Sequence, residues 1–309
     1  MKRLLPLLML LTLLLPFGAL ADQTITVTFT GDVTIGGEGP VQKLSDSFTG
    51  YYEKYGPAYF LKNLQPLMAN DDLTVINLEG VLSNSTANEN TKKQYRFRAP
   101  ASYTDVLTSS SVELCGLSNN HTADFGTNGL KNTKKALQDA GLEYTIYQKS
   151  YVFEKYGIKI GFISMYAGNF NGGSDWLRSE VKSLKSTQGC SAVVVSVHGG
   201  QEYAKKHNDS QKTMAEISIN AGADLVVMHH PHILEGCEIL KNRYVFYSLG
   251  NTCFGGNNEV RALETAILQV DFVFKDDGTY KGQQVRIYPA HTSGTYPRAN
   301  FQPVLVTGT

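Results

Sequence analysis

Five clusters of Asp, Glu, Asn and His, distant from one another in this 309-residue chain, each follow a short apolar run. In chain order they contain Asp32, Glu79, Asn120 with His121, His198 with Glu202, and the run His229, His230 and His232. Carboxylates, neutral amides and imidazoles hold divalent metals such as Zn, Mn or Fe. Bringing several carboxylates together also concentrates charge that a cation must balance. The residue types therefore predict a metal site.

Each cluster by itself is a weak indication of a ligand. An Asp after a strand is more often a helix cap or turn residue, and a lone His at a strand end is more often a hydrogen-bonded bystander. The histidine run is a stronger indication, because alternate residues of an extended segment would aim His230 and His232 at one point. We expect the five clusters together to form one site.

The arrangement also predicts a division of roles. Two bridged metals would bind a phosphoryl oxygen and lower the pKa of a bridging water towards neutrality. The residues predicted to hold them are Asp32, Glu79, Asn120, His198 and His230. His121, which is not expected to bind the same metal as Asn120, is predicted to protonate the leaving oxygen.

The elements that must position these residues alternate between β-branched runs and helical stretches. Strands are predicted at residues 25–30, 73–77, 112–117, 151–153, 158–164, 192–197 and 225–228. Helices are predicted at residues 57–69, 103–109, 129–140, 176–186 and 210–221. This order predicts an α/β fold with a mostly parallel inner sheet. Ligands bind outside the carboxyl ends of such strands, where the five clusters fall.

Beyond residue 238 the pattern changes to strands without helices between them. The runs 244–248, 263–274 and 281–287, with a turn at 276–278, predict antiparallel strands. Since the sequence contains no Pro/Ser-rich linker and no repeat, we expect one domain over residues 22–290. Residues 291–309 are expected to form an irregular C-terminal tail that packs on it.

The first 21 residues have the layout of a secretory signal peptide. Lys2 and Arg3 precede an apolar stretch over residues 4–17, and Ala19-Leu20-Ala21 supplies the small residues of a cleavage site. The alternative is an uncleaved membrane anchor, because the stretch is not far short of the roughly 17 to 25 residues of a spanning helix. Both alternatives predict an exported protein, extracellular or at the cell surface.

The charge balance disfavours nucleic acid as a partner. The chain has 28 basic and 28 acidic residues, and loss of Lys2 and Arg3 with the signal segment leaves a formal charge of −2. No run of Lys or Arg exceeds two residues, whereas nucleic-acid binding requires a basic stripe. The basic side chains between residues 92 and 98 could attract a polyanion, but charges spaced in this way more often form a solvated face.

Four cysteines in an exported chain permit disulfides. Cys237 and Cys253 flank the apolar run 244–249, so a hairpin-like return would bring them together, and we predict a disulfide between them. Cys115 lies at the exit end of its strand and Cys190 at the entry end of another, which places them at opposite edges of a parallel sheet. We expect these two to be free, buried thiols.

In their order along the chain, the motifs resemble the CapA family of capsule synthesis proteins, which is involved in poly-γ-glutamate production. The resemblance is carried by Gly31-Asp32, Asn77-Leu78-Glu79, Ser118-Asn119-Asn120-His121 with Asp124 and Gly126, His198-Gly199-Gly200-Gln201-Glu202-Tyr203, His229-His230-Pro231-His232 and Tyr247-Ser248-Leu249-Gly250-Asn251. Arg96-Phe97-Arg98-Ala99-Pro100 and Asn300-Phe301-Gln302-Pro303 also resemble that family. The resemblance covers residues 24–303.

That family is similar to the calcineurin-like metallophosphoesterases, so the resemblance implies a sandwich of two mixed sheets flanked by helices. It implies that Asn120 is a ligand, His121 the general acid, and His230 and His232 the last two ligands. The implied cofactor is one or two divalent ions, Mn, Zn or Fe. The implied partners are a polyanionic polymer (poly-γ-glutamate) or a phosphorylated small molecule, and membrane subunits of a capsule synthase.

The chain departs from those enzymes at several positions. They begin with Asp-x-His, whereas this chain has Asp32-Val33-Thr34, so one ligand of the first metal is missing. Glu79 stands where the enzymes have Asp, and Met228 where the family commonly has Gly. The second metal is either lost or held by a substitute such as Glu202 or His229.

Three hypotheses stay open at this stage. The chain is a metal-dependent hydrolase of the cell surface, a non-catalytic component of a capsule complex that binds polymer in the same pocket, or a surface phosphoesterase unrelated to capsule. The ligand clusters favour the first hypothesis, and the missing histidine at position 34 favours the second. We expect three further residues to support the predicted ligands: His229, Glu202 and Asn251.

Overall fold

The computed structural model describes residues 22–306, so the predicted signal segment and residues 307–309 of the tail lie outside the described residues. The strands of the described part are β1 (Gln23–Thr34), β2 (Leu73–Leu78), β3 (Val81–Leu82), β4 (Arg98–Ala99), β5 (Leu114–Gly116), β6 (Glu143–Thr145), β7 (Tyr151–Lys155), β8 (Ile158–Tyr166), β9 (Cys190–His198), β10 (Leu225–His229), β11 (Cys237–Leu240), β12 (Arg243–Phe246), β13 (Asn251–Phe254), β14 (Glu264–Phe274), β15 (Tyr280–His291) and β16 (Val304–Leu305).

The α-helices are α1 (Phe48–Tyr55), α2 (Gln65–Met68), α3 (Thr104–Thr108), α4 (Gly126–Asp139), α5 (Ala167–Ser186) and α6 (Asp209–Ala221). The prediction of one helix over residues 57–69 is wrong, because that stretch holds only a 3-10 turn and the short α2. Helix α1 was not predicted. It begins where the Ser47 hydroxyl accepts a hydrogen bond from Gly50 N and ends at Gly56, whose φ of 76° glycine tolerates best.

Two mixed sheets form the centre of the fold. The first has the order β16-β15-β14-β1-β2-β5-β6, with β13 also paired to β1, and the second has the order β11-β12-β10-β9-β8-β7. Strands β1, β2, β5 and β6 run parallel, and so do β8, β9, β10 and β12. Antiparallel strands complete both sheets.

Apolar side chains fill three layers around these sheets. Between the sheets, Val27 and Phe29 of β1 belong to one buried cluster with Val194 of β9 and Val227 of β10. Helices α1 to α4 cover the outer face of the first sheet, and α5 and α6 cover the outer face of the second. The predicted fold class, an α/β sandwich of two mixed sheets flanked by helices, is confirmed.

The C-terminal strands extend the first sheet away from its parallel part. As the turn at residues 276–278 predicted, β14 and β15 form an antiparallel hairpin. In the described part of the tail, β16 pairs with the end of β15, with Ala290 opposite Leu305. None of the helices within residues 22–306 combines the length and apolar character needed to cross a membrane.

The predicted disulfide between Cys237 and Cys253 is wrong in this structure, where both thiols are free. The expected hairpin does form from β11 and β12, but its register places Cys237 opposite Phe246. Cys253 lies in β13 of the other sheet, where its buried thiol donates to Phe301 O at 3.4 Å. Cys115 and Cys190 are free and buried, as expected, but they belong to different sheets.

Candidate metal centre

The ends of the parallel strands deliver the predicted residues to one end of the sandwich. Asp32 lies near the end of β1, Glu79 directly follows β2, and Asn120 and His121 come after β5. From the second sheet, His198 ends β9 and pairs in register with His229, which ends β10. Asn251 differs, because it begins β13 and pairs with Asp32. All the predicted clusters therefore meet, although they are far apart in sequence.

The backbone around Asp32 is irregular, which aims this side chain into the site. The register of β1 against β2 shifts between Phe29 and Asp32, as at a β-bulge. Asp32 N donates to Gly250 O at 2.9 Å, and a Cβ at Gly31 would lie 2.0 Å from that same oxygen. Glycine at position 31 is therefore required by the close approach of the two chain segments.

Asp32 is fully buried and surrounded by polar groups. Its carboxylate accepts from the Asn77 amide at 2.7 Å and from His230 N at 3.2 Å. His232 Nδ1 lies 3.2 Å and His229 Nδ1 3.6 Å from its oxygens. Burial raises the pKa of Asp32, but the hydrogen bond and charge of His232 outweigh it, so the pKa is lowered and the group is ionised at neutral pH.

Glu79 is equally buried but poorly satisfied. Its Oε1 lies 3.7 Å from the Nε2 atoms of His121 and His198 and has no hydrogen-bond partner among the described residues. Its Oε2 accepts from the Thr34 hydroxyl at 3.4 Å. Burial raises the pKa of Glu79 to about 7, although the charge of His232 opposes the rise. The unpaired oxygen of this carboxylate thus lies where the candidate ligands of the described chain converge.

His230 and His232 are held in strained backbone conformations, with φ of 103° and 60°. With Glu79 they offer ligand atoms that all lie within 4.8 Å of one another. Burial lowers the pKa of His230, so its imidazole is neutral and able to bind a metal. For His232, burial opposes protonation, but Glu79 and Asp32 prevail and raise its pKa to about 10. The two carboxylates thus draw positive charge into the cluster.

His198 connects the two sheets at the site. Its Nε2 donates to Asn120 Oδ1 at 2.7 Å, and its Nδ1 accepts from the Asn77 amide at 3.2 Å. Burial lowers the pKa of His198 well below its ordinary value, which keeps the imidazole neutral. The predicted ligands Asn120 and His198 are therefore adjacent.

His121 lies beside the cluster rather than within it. Its Nδ1–H donates to Asp124 Oδ2 at 2.6 Å, which leaves Nε2 directed towards Glu79. Phe97 stacks on the imidazole with ring centroids 4.2 Å apart, and Lys93 forms an ion pair with Asp124. These contacts fix the orientation of the ring and leave Nε2 facing the centre, as proton transfer at that atom requires.

The three supporting residues take different positions. His229 Nδ1 is buried without a hydrogen-bond partner among the described residues, close to Asp32. Asn251 Oδ1 lies 3.0 Å from His232 Nδ1, so it orients that ring. Glu202 is exposed and lines a cavity of about 110 Å³ that also contains His121 and His232.

The donor set fits a divalent metal. Two buried carboxylates, imidazoles and an amide oxygen converge. The atoms Glu79 Oε1, His229 Nδ1 and His230 Nδ1, which have no hydrogen-bond partner within residues 22–306, are all of metal-ligand types. Buried polar atoms are normally hydrogen-bonded, so three such atoms in one cluster point to a bound ion. The assignment of each residue to a metal stays a prediction.

Several residues of the site were not assigned a role from sequence. Asn77, Asp124 and Lys93 orient the predicted ligands, and the only indication was that they stand within or beside the motifs. Lys93 and Arg96, considered as attractors of a polyanion, instead pair with Asp124 and Glu89. Arg261, on the wall of the 110 Å³ cavity, lies in no motif, so no sequence pattern could have indicated it.

Comparison with known proteins gives a family match over most of the described chain. The model of the family described as bacterial capsule synthesis protein PGA_cap matches residues 26–256. The capsule biosynthesis protein CapA of Bacillus anthracis is 26% identical over 282 residues, which cover 84% of this chain and 66% of that protein. The PGA biosynthesis protein CapA of Bacillus subtilis (strain 168) is 26% identical over 87% of this chain and 73% of that protein.

The chain therefore spans slightly under two thirds of the first of these relatives. Among solved structures, a hypothetical protein from Thermus thermophilus is 14% identical, with a TM-score of 0.49 over 86% of this chain and 99% of that one. A likeness of this size says nothing about activity. The matched residues 26–256 include every predicted metal ligand, from Asp32 to His232.

Proposed function

Because the chain belongs to the bacterial capsule synthesis protein PGA_cap family, we propose that it is an exported component of poly-γ-glutamate capsule synthesis that hydrolyses a phosphoester at a metal centre. The names of the two Bacillus relatives support the link to the capsule. The layout of residues 1–21 supports export, and N-terminal sequencing of the mature protein would test it. The proposed partners are the polymer and membrane subunits of the synthase.

One observation carries the proposal of a metal-dependent activity. Glu79, His230 and His232 present ligand atoms within 4.8 Å of one another, next to the ionised Asp32. Bound divalent metals would supply Lewis-acid stabilisation of the phosphoryl oxygens and a lowered pKa for water. Asp32, Glu79, His198, His230 and His232 would hold them, with Asn120 at the edge of the cluster.

The chain's own residues would then position the substrate and move a proton. His121, held by Asp124 at 2.6 Å and by the Phe97 ring, would donate the proton on Nε2 to the leaving oxygen. Asp124 would stabilise the protonated imidazole of His121 until it gives up this proton. Phe97 and Phe254 line the cavity beside His121 and His232 and exclude water from the proton transfer.

A second candidate function is non-catalytic binding of the polymer, and Thr34 favours it. Its hydroxyl lies 3.4 Å from Glu79, so it provides a weak oxygen donor where the enzymes of the superfamily have an imidazole. His229, near Asp32 and unpartnered at Nδ1, is the best-placed substitute. If His229 does not replace the missing ligand, the centre holds one metal.

The experiment compares metal content and activity in one set of variants of the full chain. Purified protein is loaded with Mn²⁺, Zn²⁺ or Fe²⁺, its metal content is measured by elemental analysis, and hydrolysis of bis-p-nitrophenyl phosphate is followed. We expect His121→Ala to retain metal and to lose activity about 100-fold or more. His230→Ala is expected to lose both.

His291→Ala is the matched control, because this histidine ends β15 outside the cluster. It should retain metal and activity. A wild type that binds metal but does not hydrolyse the substrate would favour the non-catalytic function. Absence of bound metal from the wild type would contradict both the metal centre and the hydrolysis.

A further inference from the structure

The cavity over the metal centre contains a cation that the proposed chemistry does not use. His121, His232 and Glu202 line this 110 Å³ cavity on the side of the centre, and Tyr95, Tyr203 and Arg261 also line it. Among the described residues that line it, Arg261 is the one lysine or arginine. It belongs to the segment between β13 and β14, outside the residues matched by the family model.

Arg261 forms no ion pair with a carboxylate of the described residues, although Glu38 and Glu202 also line the cavity. Within residues 22–306, no Asp or Glu oxygen lies within 4.0 Å of its guanidinium, whereas Arg243, Arg286 and Arg298 each form such an ion pair. Its contacts are instead with tyrosines. The guanidinium lies 6.0 Å from the centre of the Tyr95 ring, and interactions with Tyr95 and Tyr203 raise the pKa of Arg261.

Tyr203 joins Arg261 to the metal centre. Its ring centroid lies 6.0 Å from that of His232, so the free guanidinium is one aromatic side chain away from a predicted ligand. A guanidinium presents a planar set of donors that matches the two oxygens of a carboxylate or a phosphate. The neighbouring tyrosine side chains carry no charge that would neutralise it.

We propose that Arg261 binds a second anionic group of the substrate, a carboxylate or a phosphate, while the first group lies at the metal centre. The centre then selects molecules with two separated anionic groups over molecules with one. This inference rests on the proposed function, because it assumes that a phosphoryl group occupies the cluster. It names the class of substrate that the family membership leaves open.

The test measures binding of non-hydrolysable probes to the Mn²⁺-loaded full chain by calorimetry. Propylphosphonate carries one anionic group, 3-phosphonopropionate of matched length carries an added carboxylate, and ethylenediphosphonate carries an added phosphonate. We expect the wild type to bind at least one of the two doubly charged probes about tenfold more tightly than propylphosphonate, since a charge-assisted hydrogen bond has roughly this effect. The better of the two identifies the second group.

Arg261→Gln should bind all three probes equally, and Arg261→Lys should retain part of the preference. Arg298→Gln is the matched control, because this exposed arginine of the same region already pairs with Asp46 and Glu259. It should keep the full preference. The melting temperature of each variant checks that the fold is intact.

Equal binding of the three probes by the wild type, or a preference that survives in Arg261→Gln, overturns the role of Arg261. If hydrolysis persists in that case, the proposed function stands alone. A preference lost in Arg261→Gln, in a protein that hydrolyses nothing, supports the anion site and contradicts catalysis. Failure of every phosphonate to bind overturns both.

Discussion

Buried carboxylates lie close to both ends of strand β10, and their surroundings differ. At the start, Asp224 accepts from Val193 N at 2.9 Å, and its oxygens pair with Lys185 at 2.8 Å and Arg243 at 3.1 Å. At the other end, the described neighbours of Asp32 and Glu79 are histidines, amides, hydroxyls and backbone groups. No lysine or arginine of the described chain lies within 4.0 Å of either carboxylate.

This difference indicates that Asp224 has a structural role, whereas Asp32 and Glu79 have a functional one. A buried charge must be paired, and at Asp224 the chain supplies the cations itself. At the metal centre the basic neighbours are histidines: burial raises the pKa of Glu79 to about 7, and the charges of Glu79 and Asp32 raise that of His232 to about 10 against its burial. Ligand atoms of Glu79, His229 and His230 have no hydrogen-bond partner among the described residues, which is what a cation site requires.

The largest expected effect is at the functional end. Glu79→Gln should weaken Mn²⁺ binding by roughly 100-fold or more, since loss of partners outside the ligand shell already costs 10- to 100-fold. In EDTA the same change should leave the free energy of unfolding unchanged or raise it, because a buried, poorly satisfied carboxylate is removed. Calorimetry and urea denaturation measure the two quantities. Reduced stability with unchanged Mn²⁺ affinity would make Glu79 a structural residue like Asp224.

Asp224→Asn should show the opposite behaviour. We expect the free energy of unfolding to fall by about 2 kcal/mol, because Lys185 and Arg243 are left facing each other without their anion. The partial exposure of both cations limits the loss. Mn²⁺ affinity should not change, and a shift in it would show that the two ends of β10 are coupled.

Lys185→Met removes one of the two cations and should cost less, about 1 kcal/mol. Arg243 remains on Asp224, and the methionine retains the apolar part of the side chain. Urea denaturation at low and high salt measures the effect, which should shrink with salt because Lys185 is partly exposed. A loss equal to that of Asp224→Asn would mean that Arg243 contributes nothing.

The ion pair of Asp271 and Arg286 on the first sheet gives the smallest effect. The Arg286 hydrogen bond lowers the pKa of Asp271 despite partial burial. A carboxylate whose pKa is lowered in the folded state stabilises the fold at pH values above the ordinary aspartate pKa of about 3.9. The fold loses this stabilisation as the pH falls through the folded-state pKa. Asp271→Asn should therefore cost about 0.5 kcal/mol at pH 7. A difference that stays constant down to pH 2 would show that the ion pair contributes nothing.

Much of the fold followed from local patterns. The valine-rich run of β9 and the helical stretch of α6 were predicted to within two residues at each end, because burial and capping leave clear local marks. Helix α1 was missed, since its tyrosines and glycine have weak helix propensity and are held by packing. Tyr52, for example, stacks on Tyr103 from another helix at 3.9 Å, a contact that depends on chain segments distant in sequence.

The sequence by itself determined which residue types follow the strands, because the succession of strands along the chain and the type of each residue can both be read from local sequence. Only the tertiary structure decided which atoms become partners. It placed Cys253 in a different sheet from Cys237 and paired Asp224 with two cations. It also left Glu79 Oε1 without a hydrogen-bond partner among the described residues and brought Arg261 to the cavity. Sheet register and loop placement come from contacts between distant segments, and no local pattern encodes those distances.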